Sequence, residues 1–301
     1  MHIRGLLEEK ERAALSLACL VMAGIWAWAL WPRPPALSVT FLNVGQGDAA
    51  VVRTPSGRTA VIDCGPGPTQ AGGFDAGARV VVPFLRREGV NRIDALILTH
   101  PHEDHVGGAM SVVRNFQIDS VLDSGIAHPT GCYGELLGQI EARAIPYRRV
   151  RRGQAIDFHD GVRMEVLNPP PGAAAADGES ALNNSSVVLR ITYGDVSFLM
   201  AGDAEKQAEL DMLSACRELS AQVLKVGHHG SSKATSLEWL AAVRPQFAVI
   251  SVGWRNPFGH PGSDTLKRLE EAGAEVYRTD RNGGITITTD GRRIAVRTSR
   301  N

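Results

Sequence analysis

Four potential metal ligands directly after an apolar strand constrain this 301-residue chain more than any other feature. The strand is predicted at residues 94–99, and the motif His-x-His-x-Asp-His follows at residues 100–105. With 9 His in 301 residues, chance would produce this motif with odds of roughly four in ten thousand. Two imidazoles two residues apart on an irregular turn can bind one ion, and the following acid and imidazole can bind a second. The motif therefore predicts a metal site at the end of a buried strand.

Three further segments place candidate site residues at predicted strand ends. Asp203 ends the strand predicted at 196–201, the pair His228 and His229 ends the strand at 222–226, and His260 follows the strand at 247–252. Loops at strand ends are where α/β proteins build their sites. We therefore expect these residues to converge with the first motif, although 160 positions separate the first from the last.

The pattern of apolar runs predicts the fold class. From Leu37 onward, short β-branched runs alternate with Gly, Pro and Asp turns, and in each half of the chain helices follow strands. Two such halves indicate an α/β (α+β) fold in which two sheets pack face to face with helices outside, a four-layer αββα sandwich over residues 37–298. The low-complexity segment 169–181 connects the halves, and we expect it to be mobile.

An apolar run without charge occupies residues 13–31 and predicts a transmembrane anchor, because as a helix it spans roughly 28 Å. A Pro-rich linker follows at 32–36. Three cations precede the run and one follows closely, so the positive-inside rule places residues 1–12 in the cytoplasm and the later domain outside, at a bacterial inner membrane. A signal peptide cleaved after Ala29 and a buried core helix are the alternatives.

The overall charge restricts how the chain can contact a polyanion. With 32 basic and 32 acidic residues, the chain lacks the basic excess of proteins that coat nucleic acid. A local cluster after Tyr147 is a candidate DNA-binding segment and consists of Arg148, Arg149, Arg151 and Arg152. The alternative is an edge strand protected by its charge.

The motifs THPHEDH, GD and GHHGS, each after a strand and in this order, resemble those of the metallo-β-lactamase superfamily. The segments 43–49 (NVGQGDA), 62–65 (IDCG), 225–231 (KVGHHGS) and 256–261 (NPFGHP) are similar to the extracytoplasmic nuclease-like domain of ComEC-type DNA-uptake proteins. The resemblance covers about residues 37–298. It implies the four-layer sandwich and a hydrolase that uses two divalent ions, Zn²⁺ or Mn²⁺. In this chain the sandwich is expected to follow the one transmembrane helix predicted at residues 13–31.

Carried over by position, the resemblance implies six metal ligands: His100, His102, Asp104, His105, Asp203 and His228. Asp203 is the expected bridging carboxylate. Four more residues are expected to orient ligands or to fill an uncertain ligand position: Asp48, Asp63, Asn184 and Ser185. The superfamily usually supplies another His near the last two, and the loss of that imidazole favours Mn²⁺ relative to a pure zinc site.

The implied activity is hydrolysis of a phosphodiester in DNA during DNA uptake, because two adjacent divalent ions suit an in-line displacement at phosphorus. Asp104 is expected to orient the attacking water, and His260 to bind the phosphate or protonate the leaving oxygen. Lys225 and His229 are weaker catalytic candidates, and His229 is equally well a packing residue.

Two other functions stay open at this stage. One is an exported hydrolase of a phosphoester or ester in a small molecule, a lipid or cell-wall choline. The other is an accessory DNA-binding subunit with a vestigial site. One apolar segment cannot itself form a DNA channel, so a channel partner is expected, either as another chain or as the rest of a longer protein.

Overall fold

The computed structural model describes residues 15–24, 26, 35–68, 73–126, 131–173 and 178–300. Contacts divide the chain into a unit of residues 1–35 and a unit of residues 36–301. In the first unit, residues 15–24 and 26 are helical, and none of the helices in the described ranges combines the length and the apolar character needed to cross a membrane. Residues 1–12 and parts of the predicted anchor and linker (13, 14, 25 and 27–34) lie outside the described residues.

The second unit is built mainly from strands. In chain order they are β1 Leu37–Phe41, β2 Ala50–Arg53, β3 Thr59–Ile62, β4 Arg92–Ile93, β5 Ala95–Leu98, β6 Gln117–Ile118, β7 Val121–Asp123, β8 Tyr147–Arg149, β9 Ala155–Asp157, β10 Val162–Asn168, β11 Val188–Tyr193, β12 Val196–Met200, β13 Val223–Lys225, β14 Phe247–Ile250, β15 Glu275–Arg278, β16 Ile285–Thr289 and β17 Ile294–Thr298.

The helices connect these strands. They are α1 Val82–Arg87, α2 Glu103–Val106, α3 Ala109–Asn115, α4 Gly131–Ala142, α5 Glu179–Asn184, α6 Lys206–Ala215, α7 Leu237–Val243, α8 Ser263–Glu271 and α9 Thr279–Asn282. A π-helical turn at Gly77–Val81 leads into α1, and a 3₁₀ turn at Gly227–Gly230 follows β13.

Two mixed sheets carry most of the strands. The first has eight strands in the order β17-β16-β1-β2-β3-β5-β7-β8, and the second has seven in the order β15-β14-β13-β12-β11-β10-β9. Strand β5 shows how the layers form, because it is buried on both faces. Ala95 and Ile97 lie in the apolar core that both sheets share, whereas Leu96 and Leu98 pack with the outer helices.

The second sheet has its own outer layer, in which Leu224 of β13 packs with Leu240 of α7 and Leu269 of α8. Helices therefore cover the outer face of each sheet. The predicted four-layer αββα sandwich is confirmed.

The parallel parts of both sheets determine where the site forms. β3, β5 and β7 run parallel in the first sheet, and β12, β13 and β14 run parallel in the second. Parallel strands end at the same edge of a sheet, so the loops after them gather there. The motif after β5 and the loops after β12, β13 and β14 are the segments that carry the predicted site residues.

One segment contains a helix that was not predicted. The connection predicted as mobile at 169–181 runs into helix α5, and residues 174–177 lie outside the described residues. Leu182 of this helix is buried, and the Oδ1 atom of Asn184 accepts hydrogen bonds from the backbone N–H groups of Glu205 (3.1 Å) and Ala208 (3.0 Å). These contacts fix the end of the connection against α6.

Candidate metal centre

Asp63, at the end of β3, orients the motif that follows β5. Its carboxylate accepts hydrogen bonds from the backbone N–H of Thr99 (2.8 Å) and from the Thr99 hydroxyl (2.6 Å). The second oxygen lies 2.8 Å from Nδ1 of His105. Because a carboxylate only accepts, Nδ1 carries the proton and Nε2 of His105 is directed away from Asp63. This is the arrangement in which a carboxylate prepares an imidazole to bind a metal ion.

One oxygen of Asp203 lies at the centre of the cluster. Its Oδ2 atom is 3.3 Å from Nε2 of His105, 3.5 Å from Nε2 of His229 and 3.8 Å from Nε2 of His228. Nε2 of His100 is 3.9 Å away. Asp203 therefore contacts nitrogens from both sheets, as the predicted bridging carboxylate requires. The backbone N–H of Asp203 donates to the hydroxyl of Ser186, which fixes the start of this loop.

The two adjacent histidines after β13 point to different neighbours. Both have left-handed backbone angles, with φ of 46° for His228 and 52° for His229. Nδ1 of His229 donates to the carbonyl of Ser251 (2.9 Å), and its Nε2 lies 3.1 Å from Oδ2 of Asp104. Nδ1 of His228 lies 3.1 Å from Oε1 of Glu205. Each ring thus has Nδ1 occupied by an acceptor and Nε2 directed toward the cluster.

The charges of the cluster favour a cation. Burial opposes the protonation of His229, but Asp203 and Asp48 outweigh it and raise its pKa to about 10. The same balance, with Asp203 and Asp63 opposing burial, raises the pKa of His105 well above its usual value. Burial, reinforced by His105, lowers the pKa of His100. In the metal-free cluster a proton on Nε2 of His229 therefore interacts with the same carboxylates that would bind a divalent ion.

Lys225 lies beneath the cluster and is 3% exposed. Its ammonium group pairs with the carboxylate of Asp48 and donates to the carbonyl of Gly202 (2.8 Å). Its distance to Oδ1 of Asp203 is 3.8 Å. Lys225, predicted as a weaker catalytic candidate, is thus enclosed among protein groups and not directed toward solvent.

The loop before β2 supports the motif from the other side. The backbone N–H of Asp48 donates to the carbonyl of Asp104 (3.1 Å). Gly47 has φ of 132°, and a Cβ atom at this position would lie 2.1 Å from that same carbonyl. Only glycine combines this backbone conformation with so close an approach. Gly47 and Asp48, which belong to the segment 43–49, therefore lie against the backbone of the candidate ligand Asp104.

The two uncertain ligand positions bind elsewhere. The side chain of Asn184 accepts from α6, as described above, and the hydroxyl of Ser185 donates to the carbonyl of Leu182 (2.6 Å). Neither of these hydrogen bonds involves Asp203. Their neighbour Asn183 was not predicted as a site residue, but its amide donates to Glu205 (3.1 Å), the residue that orients His228. Glu205 lies two residues after Asp203, and a carboxylate so close to a bridging ligand was the available signal.

The cluster opens to solvent on one side. His102, Asp104, His228 and His260 are partly exposed, whereas the other predicted ligands are buried. Nδ1 of His102 lies 2.9 Å from Nε2 of His100, so both nitrogens can face one ion. The ring of His260 packs edge-on against His228 at 5.5 Å between centroids. The predicted catalytic His260 therefore lies at the rim of the cluster.

The arginine cluster divides into two pairs. Arg148 and Arg149 lie on β8, the edge strand of the first sheet, and are exposed. Nη1 of Arg151 donates to the carbonyl of Ser124 (2.6 Å), and Nε of Arg152 donates to that of Leu167 (2.7 Å). Arg151 and Arg152, predicted to bind substrate, thus use donors to hold loops together.

The residues fit a divalent metal ion. Oδ1 of Asp203, Nε2 of His105 and Oδ1 of Asp48 are buried atoms that make no hydrogen bond within the described residues. Such atoms are costly to leave unpaired, and an ion bound beside Nε2 of His105, which lies 3.3 Å from Oδ2 of Asp203, would satisfy that nitrogen. Ligand atoms of Asp104, His105 and His229 lie within 4.8 Å of one another, as do those of His100, His105 and Asp203. Imidazole and carboxylate donors suit both Zn²⁺ and Mn²⁺.

A family model agrees with this geometry. The model of the metallo-beta-lactamase superfamily matches residues 42–254, which include most of the cluster. The chain belongs to this superfamily. Its fold is that of the superfamily's metal-dependent hydrolases. The resemblance inferred from the motifs is confirmed.

Curated relatives of this superfamily member include proteins named for competence. The chain is 33% identical over 258 residues to ComE operon protein 3 of Bacillus subtilis, covering 82% of this chain and 32% of the relative. It is 32% identical over 275 residues to competence protein ComA of Neisseria gonorrhoeae, covering 89% and 35% respectively. The chain thus spans about a third of the length of the relatives it matches.

Solved structures share the superfamily fold. Igni18, a metallo hydrolase from Ignicoccus hospitalis, superimposes with a TM-score of 0.53 at 18% identity, covering 84% of this chain and 98% of that one. CmlA, a diiron beta-hydroxylase from Streptomyces venezuelae, gives a TM-score of 0.51 at 15% identity, covering 82% and 53%. At these identities the similarity concerns the fold alone.

Proposed function

We propose that this chain hydrolyses phosphodiester bonds of DNA with two divalent ions during DNA uptake. The observation that carries the proposal is the placement of four imidazole Nε2 atoms within 3.9 Å of one oxygen of Asp203. Two adjacent ions, when bound there, supply an activated water at neutral pH and neutralise the charge of a phosphate. The names of the competence relatives support DNA as the substrate.

The ligands divide into two sets that share Asp203. We assign Asp104, His105 and His229 to one ion, because their donor atoms lie within 4.8 Å of one another. We assign His100, His102 and His228 to the other, because Nε2 of His100 and Nε2 of His228 lie 3.9 Å and 3.8 Å from Oδ2 of Asp203, and Nδ1 of His102 lies 2.9 Å from Nε2 of His100. In this assignment His229, predicted only as a weaker catalytic candidate, adds an imidazole to the six predicted ligands, so the site is richer in nitrogen than the sequence predicts.

Residues at the open side act on the substrate. Asp104 is 33% exposed at its side chain and can orient the attacking water while it contacts His229. His260 is half-buried beside His228 and can bind a phosphate oxygen or protonate the leaving oxygen. Glu205 and Asp63 hold His228 and His105 in position through Nδ1. Lys225 positions Asp48 and does not contact the substrate.

The exposed residues Arg148 and Arg149 lie on β8, two strands from β5, and as consecutive strand residues they point to opposite faces of the sheet. Arg149 pairs with Asp123 on β7, and Asp123 pairs with Leu98 on β5, two residues before His100. At about 4.8 Å between strands, Arg149 is roughly 10 Å from the motif across the sheet. Arg148 and Arg149 can therefore contact the phosphates that flank the bond at the metal centre.

The test uses the full-length chain in detergent, loaded with Mn²⁺ or Zn²⁺. Single- and double-stranded DNA, bis-p-nitrophenyl phosphate and nitrocefin are compared, and the Asp203→Asn variant serves as the control. We expect metal-dependent cleavage of DNA and of the small diester, with no turnover of nitrocefin. Hydrolysis of bis-p-nitrophenyl phosphate without cleavage of DNA would contradict the proposal, as would DNA binding without any hydrolysis.

We further propose that residues 13–31 anchor the chain with the metal centre outside the cytoplasm, as uptake of external DNA requires. An alkaline phosphatase fusion after Asn301 should be active, a green fluorescent protein fusion there should be dark, and the chain should stay in carbonate-washed membranes. A soluble product that begins at Leu30 would indicate a signal peptide. A bright fluorescent fusion with an inactive phosphatase would place the site in the cytoplasm and contradict the proposal.

A further inference from the structure

An exposed aromatic loop, residues 253–262, carries His260 at the rim of the metal centre and two aromatic side chains that the steps above do not use. Trp254 is 67% exposed and Phe258 is 64% exposed. Within the described part of residues 36–301, these are the two most exposed large apolar side chains. Exposed aromatic surface of this kind costs hydration free energy and commonly marks a binding surface.

The loop holds these rings in a fixed position. Asn256 makes four hydrogen bonds across the loop: its amide donates to the carbonyls of Gly253 (3.0 Å) and His260 (2.7 Å), and its Oδ1 accepts from the backbone N–H groups of Phe258 (3.2 Å) and His260 (3.0 Å). The backbone N–H of Gly253 donates to the side chain of Gln46 (3.1 Å). The exposure of the rings is thus a property of an ordered loop, and binding to them costs little ordering entropy.

A series of ring contacts connects the loop to the metal centre. Phe258 stacks on His260 with 6.0 Å between centroids and 21° between planes. His260 contacts His228, whose Nε2 is 3.8 Å from Asp203. The guanidinium of Arg255 lies 5.8 Å over the ring of Trp254 and adds positive charge to the same surface.

We propose that Trp254 and Phe258 form a stacking platform for unpaired nucleobases next to the bond that is cleaved. Aromatic faces beside a cation bind bases of any sequence, and only bases outside a duplex present their faces. The inference rests on the proposed function and adds that the preferred substrate is single-stranded at the cleavage site. A membrane surface is the other chemistry that such a loop could contact, but the ring contacts to His260 and His228 favour the substrate.

The test measures binding without turnover. The full-length chain is placed in phosphatidylcholine nanodiscs with EDTA, and the affinities for a fluorescent twelve-residue oligothymidylate and for an abasic strand of the same length are compared. The wild type should prefer the strand with bases by about tenfold or more. The double variant Trp254→Ala, Phe258→Ala should bind both strands alike. Leu237→Ala, which shortens an apolar side chain that is 54% exposed on α7, is the matched control and should keep the preference.

Conservative variants and turnover separate the outcomes. Trp254→Phe with Phe258→Tyr keeps two aromatic faces and should keep the preference for bases. With Mn²⁺, the Ala double variant should raise KM for single-stranded DNA by a larger factor than KM for bis-p-nitrophenyl phosphate. Base-dependent binding without any cleavage of DNA would sustain the platform and reject the proposed function.

Cleavage of DNA with an unchanged KM in the Ala double variant would reject the platform and sustain the proposed function. Unchanged affinity of that variant for both strands, combined with quenching by brominated lipid that the wild type shows and a Trp254→Phe variant lacks, would assign the loop to the membrane surface. That result would overturn the inference.

Discussion

The Nε2 atom of His229 lies 3.1 Å from Oδ2 of Asp104, although 125 positions separate the two residues. The contact joins the loop after β5 of one sheet to the turn after β13 of the other. Since Nδ1 of His229 is occupied by the carbonyl of Ser251, Nε2 is the nitrogen left to bind an ion. This relationship is the basis for assigning His229, rather than His228, to the ion that Asp104 binds.

Replacing His229 should therefore remove one ion. We expect His229→Gln to retain about one ion per chain after dialysis and to lose about a hundredfold or more of the turnover of a small diester. Metal analysis by mass spectrometry measures the occupancy. Tyr133→Phe, which changes a buried side chain bonded to Asp123, is a control for general loosening of the core and should keep both ions. If His229→Gln bound two ions, His229 would be a packing residue and not a metal ligand.

Asp203→Asn should abolish turnover and leave the fold intact, because one carboxylate oxygen serves both ligand sets. The amide keeps the shape of the side chain but loses the charge that holds two cations together. We expect fewer than two ions per chain and an unchanged far-ultraviolet circular dichroism spectrum. Full occupancy with wild-type activity would exclude Asp203 from the site.

The two arginine pairs should respond differently to substitution. Arg148→Gln with Arg149→Gln should raise KM for DNA and reduce the slope of log affinity against log salt by about 0.7 per lost phosphate contact on a single strand. Arg151→Gln with Arg152→Gln should instead lower the melting temperature, because these guanidinium groups bind the carbonyls of Ser124 and Leu167. An unaltered salt slope in the first pair would identify β8 as an edge strand protected by charge.

Asp123 should make stability depend on pH. It is buried, it accepts from the hydroxyl of Tyr133 (2.8 Å), and burial raises its pKa from 3.8 to about 6. Between these values the folded chain binds more protons than the unfolded chain, so this group lowers the free energy of unfolding as pH rises from about 4 to about 6. Its stabilising protonated form is complete only below that interval.

The measurement for Asp123 is urea unfolding of the metal-free chain at acidic and neutral pH. We expect Asp123→Asn to be more stable than the wild type at neutral pH, by on the order of 2–3 kcal/mol, and to lose this advantage near pH 4. A stability difference that stays constant with pH would show that Asp123 does not titrate in this range.

The motif after β5 was predictable because its residues are close together in sequence. The layers were predictable because they follow from the order of strands and helices along the chain. A buried strand reads as an apolar run, and the ligands follow it within six residues. A place for Asp203 beside this motif was also predicted from its position at a strand end, whereas its bridging role was implied only by the resemblance to the superfamily. These features depend on period and order along the chain, which a sequence contains directly.

The rest depends on backbone angles and on distant partners. His228 and His229 are adjacent, and only their left-handed backbone angles decide which ring meets Asp104 and which meets Glu205. The donors of Arg151 and Arg152 find carbonyls on other loops, which a run of positive charge does not reveal. The helix at 179–184 ends at Asn184, whose side chain accepts two hydrogen bonds from the start of α6, a distant contact that the sequence around it does not reveal.

The contact between His105 and Asp203 has a consequence for how this fold can be divided. Each sheet supplies only part of the ligand set, so neither half of the chain holds a complete site by itself. An ion bound between the two sheets stabilises the folded state, because its binding free energy is lost when the sheets separate. Each tenfold rise of free metal above its dissociation constant then adds about 1.4 kcal/mol to the work of unfolding. A cell that limits this metal would thus control how long the folded protein survives, independently of the reaction that it catalyses.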